Sequence, residues 1–351
     1  MLDLRGLSFE ELQAQFAGWG EPRYRAEQVF RWLHARGVPT VDEMSDLPLP
    51  LRDRIRSEAQ PSRLVVDLVQ LARDGTRKLR LRASDGRVVE AVIIPDEEKR
   101  TLCVSSQAGC ALGCTFCATA AMGLLRNLLA GEIVDQVYRA QAALGSEKLT
   151  NLVFMGMGEP LHNYEAMVRA LELLMHPLGL GMSFRRITVS TAGMVDAIER
   201  YGRERKRVNL AISLNATTDE VRSRIMPINR RWPIAALLGA ARRFPLEPRR
   251  RITFEYVLLR GVNDGEPDAR RLPELLRGLR CKVNLIPFNP HPDSEFSRPE
   301  PAAVERFQQS LRDARIATFL RTSRGDDIDA ACGQLAGRLP IAREAPPVSL
   351  G

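Results

Sequence analysis

Three cysteines in a short glycine-containing run are the residues of this 351-residue sequence best suited to chemistry. The run is Cys110-Ala-Leu-Gly-Cys114-Thr-Phe-Cys117, and three thiolates from one loop can hold an iron-sulfur cubane. Gly109 and Gly113 would let the backbone wrap closely around such an inorganic core. A [4Fe-4S] cluster held by only three cysteines keeps one iron open for a substrate or cofactor, which indicates a catalytic cluster.

Zinc binding is the alternative for these thiols. The chain holds 6 cysteines and 4 histidines, so a remote cysteine or a histidine could complete a zinc site, and unrelated free thiols would also fit the spacing. The second CxxC pair that usually completes such a zinc site is absent from the sequence. Because a cytosolic chain of this size needs no disulfide bonds, the dense group of cysteines indicates metal or redox chemistry.

Polar residues follow four further apolar runs, at the points where strands should end. Gly156-Met-Gly158-Glu159-Pro160 follows Leu152–Met155; Gly158 would let a ligand approach the main chain, and Glu159 offers a carboxylate to a cation. The other candidates are Ser190, Ser213, Leu214, Asn215 and Asn289, which close or follow the runs Ile187–Val189, Val208–Ile212 and Val283–Ile286. Taken singly, each is typical of a turn. Four at successive strand ends indicate a binding site in a fold whose sites lie there.

Strand-like and helical runs alternate after residue 101. The strand-like runs are Leu102–Ser105, Leu152–Met155, Ile187–Ser190, Val208–Leu214, Ile252–Leu259, Val283–Ile286 and Ala317–Arg321. The helical runs are Ile133–Leu144, Tyr164–Leu174, Ile234–Arg243, Leu272–Leu279 and Val304–Ala314. Repeated βα units with nearly continuous apolar strands predict a parallel sheet covered by helices, hence an α/β fold with a full or partial (β/α) barrel. The site should then lie at the carboxyl ends of the strands.

The part of the chain before residue 101 has a different pattern. Helical periodicity over 1–60, with breakers at Gly37-Val38-Pro39 and Pro48-Leu49-Pro50, predicts a small helical module. Three β-type runs separated by Asp-Gly turn signals predict an antiparallel meander: Leu64–Leu71, Lys78–Leu81 and Val88–Ile94. The domains expected from these patterns are a helical module over 1–63, an antiparallel β extension over 64–95, a core domain over 96–337 and a flexible tail over 338–351.

Composition excludes several classes of protein. Hydrophobic residues are 44% and charged residues 27% of the chain, which argues against disordered, collagenous and coiled-coil proteins. No apolar run is long enough to cross a bilayer, and the N-terminal sequence Met-Leu-Asp-Leu-Arg does not lead into the apolar region of a signal peptide. We therefore expect a cytoplasmic protein with no membrane partner.

Positive charge is concentrated in one segment. The formal net charge is +8, and residues 200–251 hold 14 Lys and Arg against 4 Asp and Glu. A clustered cationic face attracts polyanions such as RNA through counterion release. A solvated basic face with no partner is the alternative.

Several motifs together resemble a known family. The three-cysteine loop resembles that of the radical S-adenosylmethionine (SAM) superfamily, and Gly158-Glu159-Pro160 resembles its motif for the methionine amino group. Five further stretches resemble the 23S rRNA adenine-C2 methyltransferases: Tyr24–His34, Cys103–Cys110, Arg186–Gly193, Cys281–Asn289 and Arg324–Leu335. The resemblance extends from about residue 5 to residue 337. It implies a partial (β/α) barrel of the radical SAM type, with the helical module as an RNA-binding accessory and a short antiparallel β extension.

The resemblance also implies cofactors, partners and a set of binding residues. The cofactors are a [4Fe-4S] cluster and SAM, and the partners are 23S rRNA, an adenine in tRNA as a second candidate substrate, and an electron donor such as flavodoxin. The cluster ligands would be Cys110, Cys114 and Cys117, and SAM would be bound by Gly158, Glu159, Ser190, Ser213, Leu214, Asn215 and Asn289.

A radical route follows from the chemistry of the implied substrate. Adenine C2 lies between two ring nitrogens and is electron-poor, so it cannot attack a methylsulfonium as an ordinary nucleophile. In the family, Cys332 would accept a methyl group from one SAM, and a radical from a second SAM would take hydrogen from that methyl group. The resulting methylene radical adds to C2. Cys103 would then attack the tethering sulfur, so that the product is released as a Cys103–Cys332 disulfide forms.

Three other residues of interest carry alternatives. Glu90 aligns with the family's proton acceptor, although alternation within Val88–Ile94 could place it on the solvent face. Cys332 could be an ordinary buried thiol, but its polar surroundings near a predicted helix start disfavour that interpretation. Cys281 opens a strand and is interpreted as structural.

Other functions stay open on the residues alone. The nearest enzymatic alternative is the sister family that methylates C8 of the same adenine, although the N-terminal module and Arg186–Gly193 favour the C2 group. A zinc-dependent RNA-binding module would use the same cysteines and basic segment without turnover. An iron-sulfur electron-transfer protein would need neither the SAM-binding residues nor a basic face.

Overall fold

One mixed sheet organises the protein. The computed structural model describes residues 1–61, 63–204, 207–292 and 294–337, so the tail predicted over 338–351 lies outside the described residues. The strands in these residues are β1 Leu2–Asp3, β2 Ala59–Gln60, β3 Leu64–Leu71, β4 Arg77–Ala83, β5 Val88–Asp96, β6 Lys99–Cys103, β7 Gln107–Gly109, β8 Leu124–Asn127, β9 Asn151–Phe154, β10 Ile187–Thr191, β11 Asn209–Ser213, β12 Ile252–Leu258, β13 Cys281–Pro287 and β14 Thr318–Leu320. The α-helices are α1 Phe9–Gly18, α2 Arg23–His34, α3 Leu49–Glu58, α4 Ala118–Ala121, α5 Ala130–Leu144, α6 Tyr164–Met175, α7 Val195–Arg203, α8 Asp219–Ile225, α9 Ile234–Arg243, α10 Glu266–Leu276 and α11 Pro301–Asp313. None of these helices is long and apolar enough to cross a membrane.

Seven parallel strands form the barrel part of the sheet. In the order β6, β9, β10, β11, β12, β13 and β14, each strand pairs with the next in parallel. Strand β12 is a largely apolar run because both of its faces are covered, and six of its seven residues are buried. Each predicted strand-like run overlaps one of these strands. The predicted α/β fold with a partial barrel is confirmed, and β14 is its outermost parallel strand.

An antiparallel extension continues the same sheet beyond β6. Strands β3, β4, β5 and β6 pair antiparallel in chain order. The two predicted turns carry glycines in the left-handed region, Gly75 with φ +81° and Gly86 with φ +80°, where a side chain would be strained. The second strand extends further than the apolar pattern predicts, because the half-buried Arg77 and the exposed Arg82 also join the ladder.

The N-terminal helices pack into the same hydrophobic core as the barrel. Helix α1 starts at a reciprocal capping box, in which the Glu11 N–H donates to the Ser8 hydroxyl at 3.1 Å and the Ser8 N–H donates to the Glu11 carboxylate at 2.8 Å. Leu12, Phe30 and Leu33 are fully buried on the facing sides of α1 and α2. The apolar periodicity that predicts these helices is therefore also what attaches them.

A buried arginine fastens this module to the barrel. The Arg5 guanidinium donates to the carbonyls of Pro61 at 2.7 Å, Leu33 at 3.2 Å and Val38 at 2.5 Å. Its Nε lies 3.6 Å from the carboxylate of Asp135, which belongs to the barrel helix α5. Both side chains are buried, so the pair and its hydrogen bonds hold three chain segments in one arrangement.

We expect Arg5→Met to lower the free energy of unfolding by about 3 kcal/mol, because it leaves a buried carboxylate with fewer partners and three carbonyls without donors. Urea unfolding measures this change. The control is Arg31→Met, which removes an exposed pair with Glu27 at 2.8 Å and should change stability by less than about 0.5 kcal/mol. Equal effects of the two variants would contradict the role given to Arg5.

Candidate active site

The loop of three cysteines lies between β7 and α4 and is fixed at both ends. The Cys110 N–H donates to the Gly123 carbonyl at 2.9 Å, and the Ala118 N–H donates to the Gly333 carbonyl at 2.8 Å. Gly109 has φ +75°, and a Cβ there would lie 1.9 Å from the Gly123 oxygen, so only glycine allows this closure. The β7–β8 hairpin that closes the loop is not evident from the sequence, because such short strands carry too little pattern.

Burial makes two of these thiols, Cys110 and Cys114, poor acids on their own. Burial raises the pKa of Cys110 to about 12. Burial, followed by the neighbouring thiols, raises the pKa of Cys114 well above its ordinary value. Cys114 and Cys117 pack against an apolar cluster formed by Phe116, Ala216, Ile225, Met226, Leu259 and Phe288. Three soft thiolates next to an apolar cluster are suited to binding the iron of an iron-sulfur cluster. Bound metal would in turn stabilise the ionised form of these thiols.

The described histidines and carboxylates do not complete a site for one metal ion with these thiols. His34 and His176 pack around Phe30 in the N-terminal module, whereas His162 and His291 lie within hydrogen-bond distance of other protein groups. Among the residues that the structure describes, no three His, Cys, Asp or Glu side chains are placed to hold a single metal ion.

Glu159 lies at the carboxyl end of β9, as predicted. Its carboxylate is buried and accepts hydrogen bonds from the Ala192 N–H at 2.7 Å and the Leu161 N–H at 3.0 Å. Its own N–H donates to the Gln107 side chain at 2.8 Å. Burial raises the pKa of Glu159 to about 7, against the lowering effect of these hydrogen bonds. A cationic ligand would stabilise the ionised form of this buried carboxylate.

The packing of the protein itself requires glycine at position 158. Its φ is +94°, and a Cβ would lie 2.5 Å from the Gln107 Cβ. At Gly156 a Cβ would lie 2.8 Å from the Val104 carbonyl. Both glycines therefore let the strand end pack against the segment after β6, and this packing places Glu159.

A buried arginine that sequence reasoning missed supports the next two strand ends. Arg222 Nε donates to the Leu214 carbonyl at 2.9 Å, and Nη2 donates to the carbonyls of Ala192 at 2.7 Å and Ser213 at 3.1 Å. Burial lowers the pKa of Arg222 to about 10. No sequence signal identifies it, because arginine in the run Asp-Glu-Val-Arg-Ser-Arg is typical of an exposed helix face.

Four other residues predicted to line the site lie at the carboxyl ends of β10 and β11. We call this edge of the barrel, formed by the carboxyl ends of its strands, the rim. The four residues differ in burial and in hydrogen bonding. Ser190 and Ser213 are half-buried. Leu214 is fully buried and contributes backbone rather than a polar side chain. Asn215 has φ +56°, and its Oδ1 accepts a hydrogen bond from the Val257 N–H at 2.8 Å. Its side chain therefore joins β11 to β12.

The segment that carries Cys332 bridges the cysteine loop and the end of β13. Asn289 donates to the Cys332 carbonyl at 3.2 Å. Thr119, just after the cysteine loop, donates to the Leu335 carbonyl at 2.6 Å. Cys332 lies in a turn after the short 3-10 helix Asp326–Ile328, so the predicted helix start is wrong for the described residues.

The two cysteines predicted to act outside the cluster, Cys103 and Cys332, lie near enough for their thiols to interact electrostatically. Cys103 is buried at the end of β6, and burial, followed by the Cys332 thiol, raises its pKa far above the ordinary value. Cys332 is solvent-exposed, yet surrounding protein atoms desolvate its thiol and raise its pKa to about 11, with a further contribution from Glu255. Both thiols are free. An external molecule can reach the exposed Cys332 thiol, whereas the buried Cys103 thiol can react only with a group that enters the protein interior.

Glu90 is buried, so the solvent-face placement from alternation is wrong. Its Oε2 accepts hydrogen bonds from the N–H groups of Ala336 and Gly337, both at 3.0 Å, and its Oε1 lies 3.5 Å from the Lys78 ammonium. The sequence contains no signal for these contacts, because they join residues far apart in the chain. Glu90 therefore anchors the segment that carries Cys332 to the β extension.

The basic segment 200–251 does not form one face. Arg222 is buried under the rim, whereas Arg249, Arg250 and Arg251 lie just before β12, at the opposite end of the strands. Cys281 also lies at that opposite end, as the first residue of β13, outside the group of thiols described above. Burial raises its pKa to about 11.

Comparisons with known proteins find matches to both the N-terminal and the barrel parts of the chain. A model described as the radical SAM superfamily matches residues 104–272, and a model described as the ribosomal RNA large subunit methyltransferase N-terminal domain matches residues 2–60. The chain is 52% identical over 339 residues to the dual-specificity RNA methyltransferase RlmN of Geobacter sulfurreducens, covering 97% of this chain and 93% of the relative. It is also 52% identical over 341 residues to the protein of that name from Anaeromyxobacter dehalogenans, covering 95% and 91%. A crystal structure of a radical SAM methyltransferase from Sphaerobacter thermophilus superposes with a TM-score of 0.93 at 46% identity, covering 96% of this chain and all of that one.

Proposed function

Since the chain belongs to the RlmN family of radical SAM RNA methyltransferases, we propose that it methylates C2 of an adenine in 23S rRNA, with an adenine in tRNA as a second substrate. The observation that carries this proposal is the convergence at one rim of a three-thiol loop, a buried carboxylate and two further free thiols. A cluster enzyme without a protein methyl carrier would need only the first two.

Members of the radical SAM superfamily use a [4Fe-4S] cluster and SAM, and the donor set described above fits both. Cys110, Cys114 and Cys117 would hold the cluster. Glu159 would hold the methionine ammonium, and the remaining SAM contacts are assigned to Gly158, Ser190, Ser213, Leu214, Asn215 and Asn289. When bound, these groups supply a methyl group, a carbon radical that removes a hydrogen atom, and an acceptor for one returning electron.

Cys332 is the proposed methyl carrier. Its thiol loses a proton and accepts the methyl group, forming a thioether on the exposed segment where RNA can reach it. After loss of one hydrogen atom, the methylene carbon on the Cys332 sulfur forms a bond to adenine C2. The adduct joins enzyme and RNA covalently until the carbon-sulfur bond breaks.

Cys103 and Glu90 complete the exchange. Glu90 accepts the proton from C2 as one electron leaves the adduct. The Cys103 thiolate attacks the Cys332 sulfur, so that a disulfide forms and the carbon-sulfur bond breaks. The electron pair stays on the methylene carbon, which takes a proton to become the product methyl group. The contacts of Glu90 with Ala336 and Gly337 support this role, since they keep its carboxylate beside the Cys332 segment.

The proposed partners follow from the same site. The helical module at the N-terminus is assigned to RNA binding, which agrees with the ribosomal RNA methyltransferase description of its matching family model. A one-electron donor such as flavodoxin is the proposed reductant. The Cys103–Cys332 disulfide must also be reduced before the next turnover. A dithiol reductant can do this by thiol–disulfide exchange.

Mass spectrometry of nucleosides tests the proposed function. Protein-free 23S rRNA and tRNA are incubated separately with reconstituted enzyme, SAM and a reductant, then digested. The expected product is 2-methyladenosine from both RNAs. Recovery of 8-methyladenosine would assign the chain to the sister reaction, and no methylated adenosine from active, SAM-cleaving enzyme would contradict the proposal.

A pH dependence of SAM binding follows from Glu159. Because burial raises its pKa to about 7, the carboxylate is mostly neutral at lower pH and cannot attract the methionine ammonium. We expect the Kd for SAM to decrease as the pH rises through 7, and Glu159→Gln to weaken binding about 10-fold above that pH and to remove the dependence. Calorimetry on the reconstituted enzyme measures both.

The control ligand is 5′-methylthioadenosine, which has no ammonium group. Its binding should not change across the same pH range. A pH dependence of SAM binding that persists in Glu159→Gln would assign the ammonium to another group.

A further inference from the structure

Seven arginines lie at the amino ends of the central parallel strands, on the side of the barrel opposite the candidate active site. They lie in the loops that lead into β10, β11, β12 and β13 and form what we call the amino-end arginine face: Arg185, Arg186, Arg207, Arg249, Arg250, Arg251 and Arg280. Strand β12 has seven residues, which at about 3.3 Å per residue separates this face from the carboxyl-end rim by about 20 Å.

Contacts within the amino-end arginine face hold several of its arginines in place. The half-buried Phe184 ring lies 4.4 Å from the Arg207 guanidinium, 5.7 Å from that of Arg185 and 5.8 Å from that of Arg250. Asn209 accepts a hydrogen bond from Arg250 at 2.7 Å and donates to the Arg185 carbonyl at 3.0 Å, so it joins the loops before β10 and β12. An aromatic ring holds guanidinium groups without neutralising their charge.

Most of this charge has no ion-paired carboxylate among the described residues. Two acidic side chains lie in the described parts of these loops, and both already have partners: Glu247 with Arg207 at 3.1 Å and Glu204 with Arg200 at 2.7 Å. Among the described residues, no carboxylate forms an ion pair with the side chain of Arg185, Arg186, Arg249 or Arg251. Elsewhere on the surface, exposed arginines such as Arg31 pair within their own helix.

We propose that the amino-end arginine face binds phosphates of the RNA substrate in a stem remote from the target adenine. The proposal rests on the proposed function and deepens it, because it names a second and structured part of the RNA as a recognition element. Exposed guanidinium forks without carboxylate partners match phosphate oxygens and attract a polyanion. A face about 20 Å from the reacting base, by strand length, can be reached only by an RNA that extends along the outside of the barrel.

An acidic electron-donor protein fits this face less well. Such a donor must approach the cysteine loop, which lies at the carboxyl ends of the strands. The amino-end arginine face is on the other side, so a protein bound there would be separated from the loop by the length of the barrel. Loss of reduction is therefore an outcome that would contradict the RNA assignment.

The test compares a long and a short RNA with one charge-reversed variant. The variant is Arg186→Glu/Arg249→Glu/Arg251→Glu, and the matched control is Arg270→Glu/Arg306→Glu/Arg312→Glu on the outer helices α10 and α11. The long RNA is the 23S rRNA domain that contains the target adenine, and the short RNA is the target hairpin alone. Binding is measured by filter retention as a function of salt, and methylation of each RNA is measured in parallel.

We expect the variant to bind the long RNA at least about 10-fold more weakly at 0.1 M salt, with a salt slope lower by about 2 to 3. Binding and methylation of the hairpin should stay within about 2-fold of wild type, and the control should resemble wild type with both RNAs. If the triple variant does not fold, Arg249→Glu alone should still weaken long-RNA binding about 3-fold. The Arg249 side chain forms no hydrogen bond or ion pair with the described residues.

Three results would overturn the proposal: unchanged binding of the long RNA, equal loss for long and short RNA, or unchanged RNA binding with loss of reduction by a protein donor. Failure of the proposed function looks different. In that case wild-type enzyme methylates neither RNA, while the binding comparison still decides whether this face contacts RNA.

Discussion

Cys103→Ala is expected to leave the enzyme covalently bound to its RNA. The variant keeps Cys332, so methyl transfer to that thiol and addition of the methylene carbon to adenine can proceed. It lacks the thiol that breaks the carbon-sulfur bond, so the adduct persists. The observation is a protein-RNA band that resists denaturation and disappears on nuclease treatment, together with the loss of multiple turnover.

The double variant provides the control for this adduct. Cys103→Ala/Cys332→Ala should give no band, since no carrier remains. Cys281→Ala changes a cysteine at the amino end of β13, on the side of the barrel opposite the candidate site. This variant should behave as wild type. Normal turnover by Cys103→Ala, or a band that survives loss of Cys332, would show that the roles of carrier and resolving thiol are assigned wrongly.

Replacing any one of Cys110, Cys114 and Cys117 by alanine is expected to abolish both iron binding and SAM cleavage. Two thiolates cannot hold the cluster, and the core of the apolar cluster around them, Phe116, Ala216, Ile225, Met226, Leu259 and Phe288, offers no further thiolate. Iron and sulfide content, visible absorbance after anaerobic reconstitution, and release of 5′-deoxyadenosine measure the loss. Reconstitution with zinc instead of iron should give neither the absorbance nor cleavage.

Cys281→Ala is the matched control here too, because it removes a thiol without touching the loop. It should keep full iron content. Full iron content in a variant of Cys110, Cys114 or Cys117 would contradict the cluster assignment for that residue.

Patterns local in the sequence account for most of the fold. The parallel strands could be predicted because apolar runs such as Ile252–Leu258 are buried on both faces and are bounded by turns. The antiparallel extension could be predicted because each Asp-Gly turn requires a left-handed glycine, as Gly75 and Gly86 show. The position of Glu159 follows from the strand that precedes it.

Contacts between distant segments could not be predicted in the same way. Arg222 belongs to a charged helical run but is buried against three carbonyls of other segments. Glu90 is buried because the Cys332 segment covers its strand, and that pairing spans most of the chain. The number of charges in residues 200–251 also does not show that Arg222 and Arg249–Arg251 lie at opposite ends of the barrel. The path of the chain between them decides which end each occupies.

The most direct measurement follows the hydrogen atoms of the transferred methyl group. Enzyme carrying a trideuterated methyl group on Cys332 is prepared with labelled SAM, freed of excess SAM, and allowed one turnover on RNA with unlabelled SAM. The proposed mechanism gives a product methyl group with two deuterium atoms, because one deuterium is removed on the enzyme and a proton is added after release from sulfur. A product methyl group with three deuterium atoms, or with none, would contradict the passage of the methyl group through Cys332.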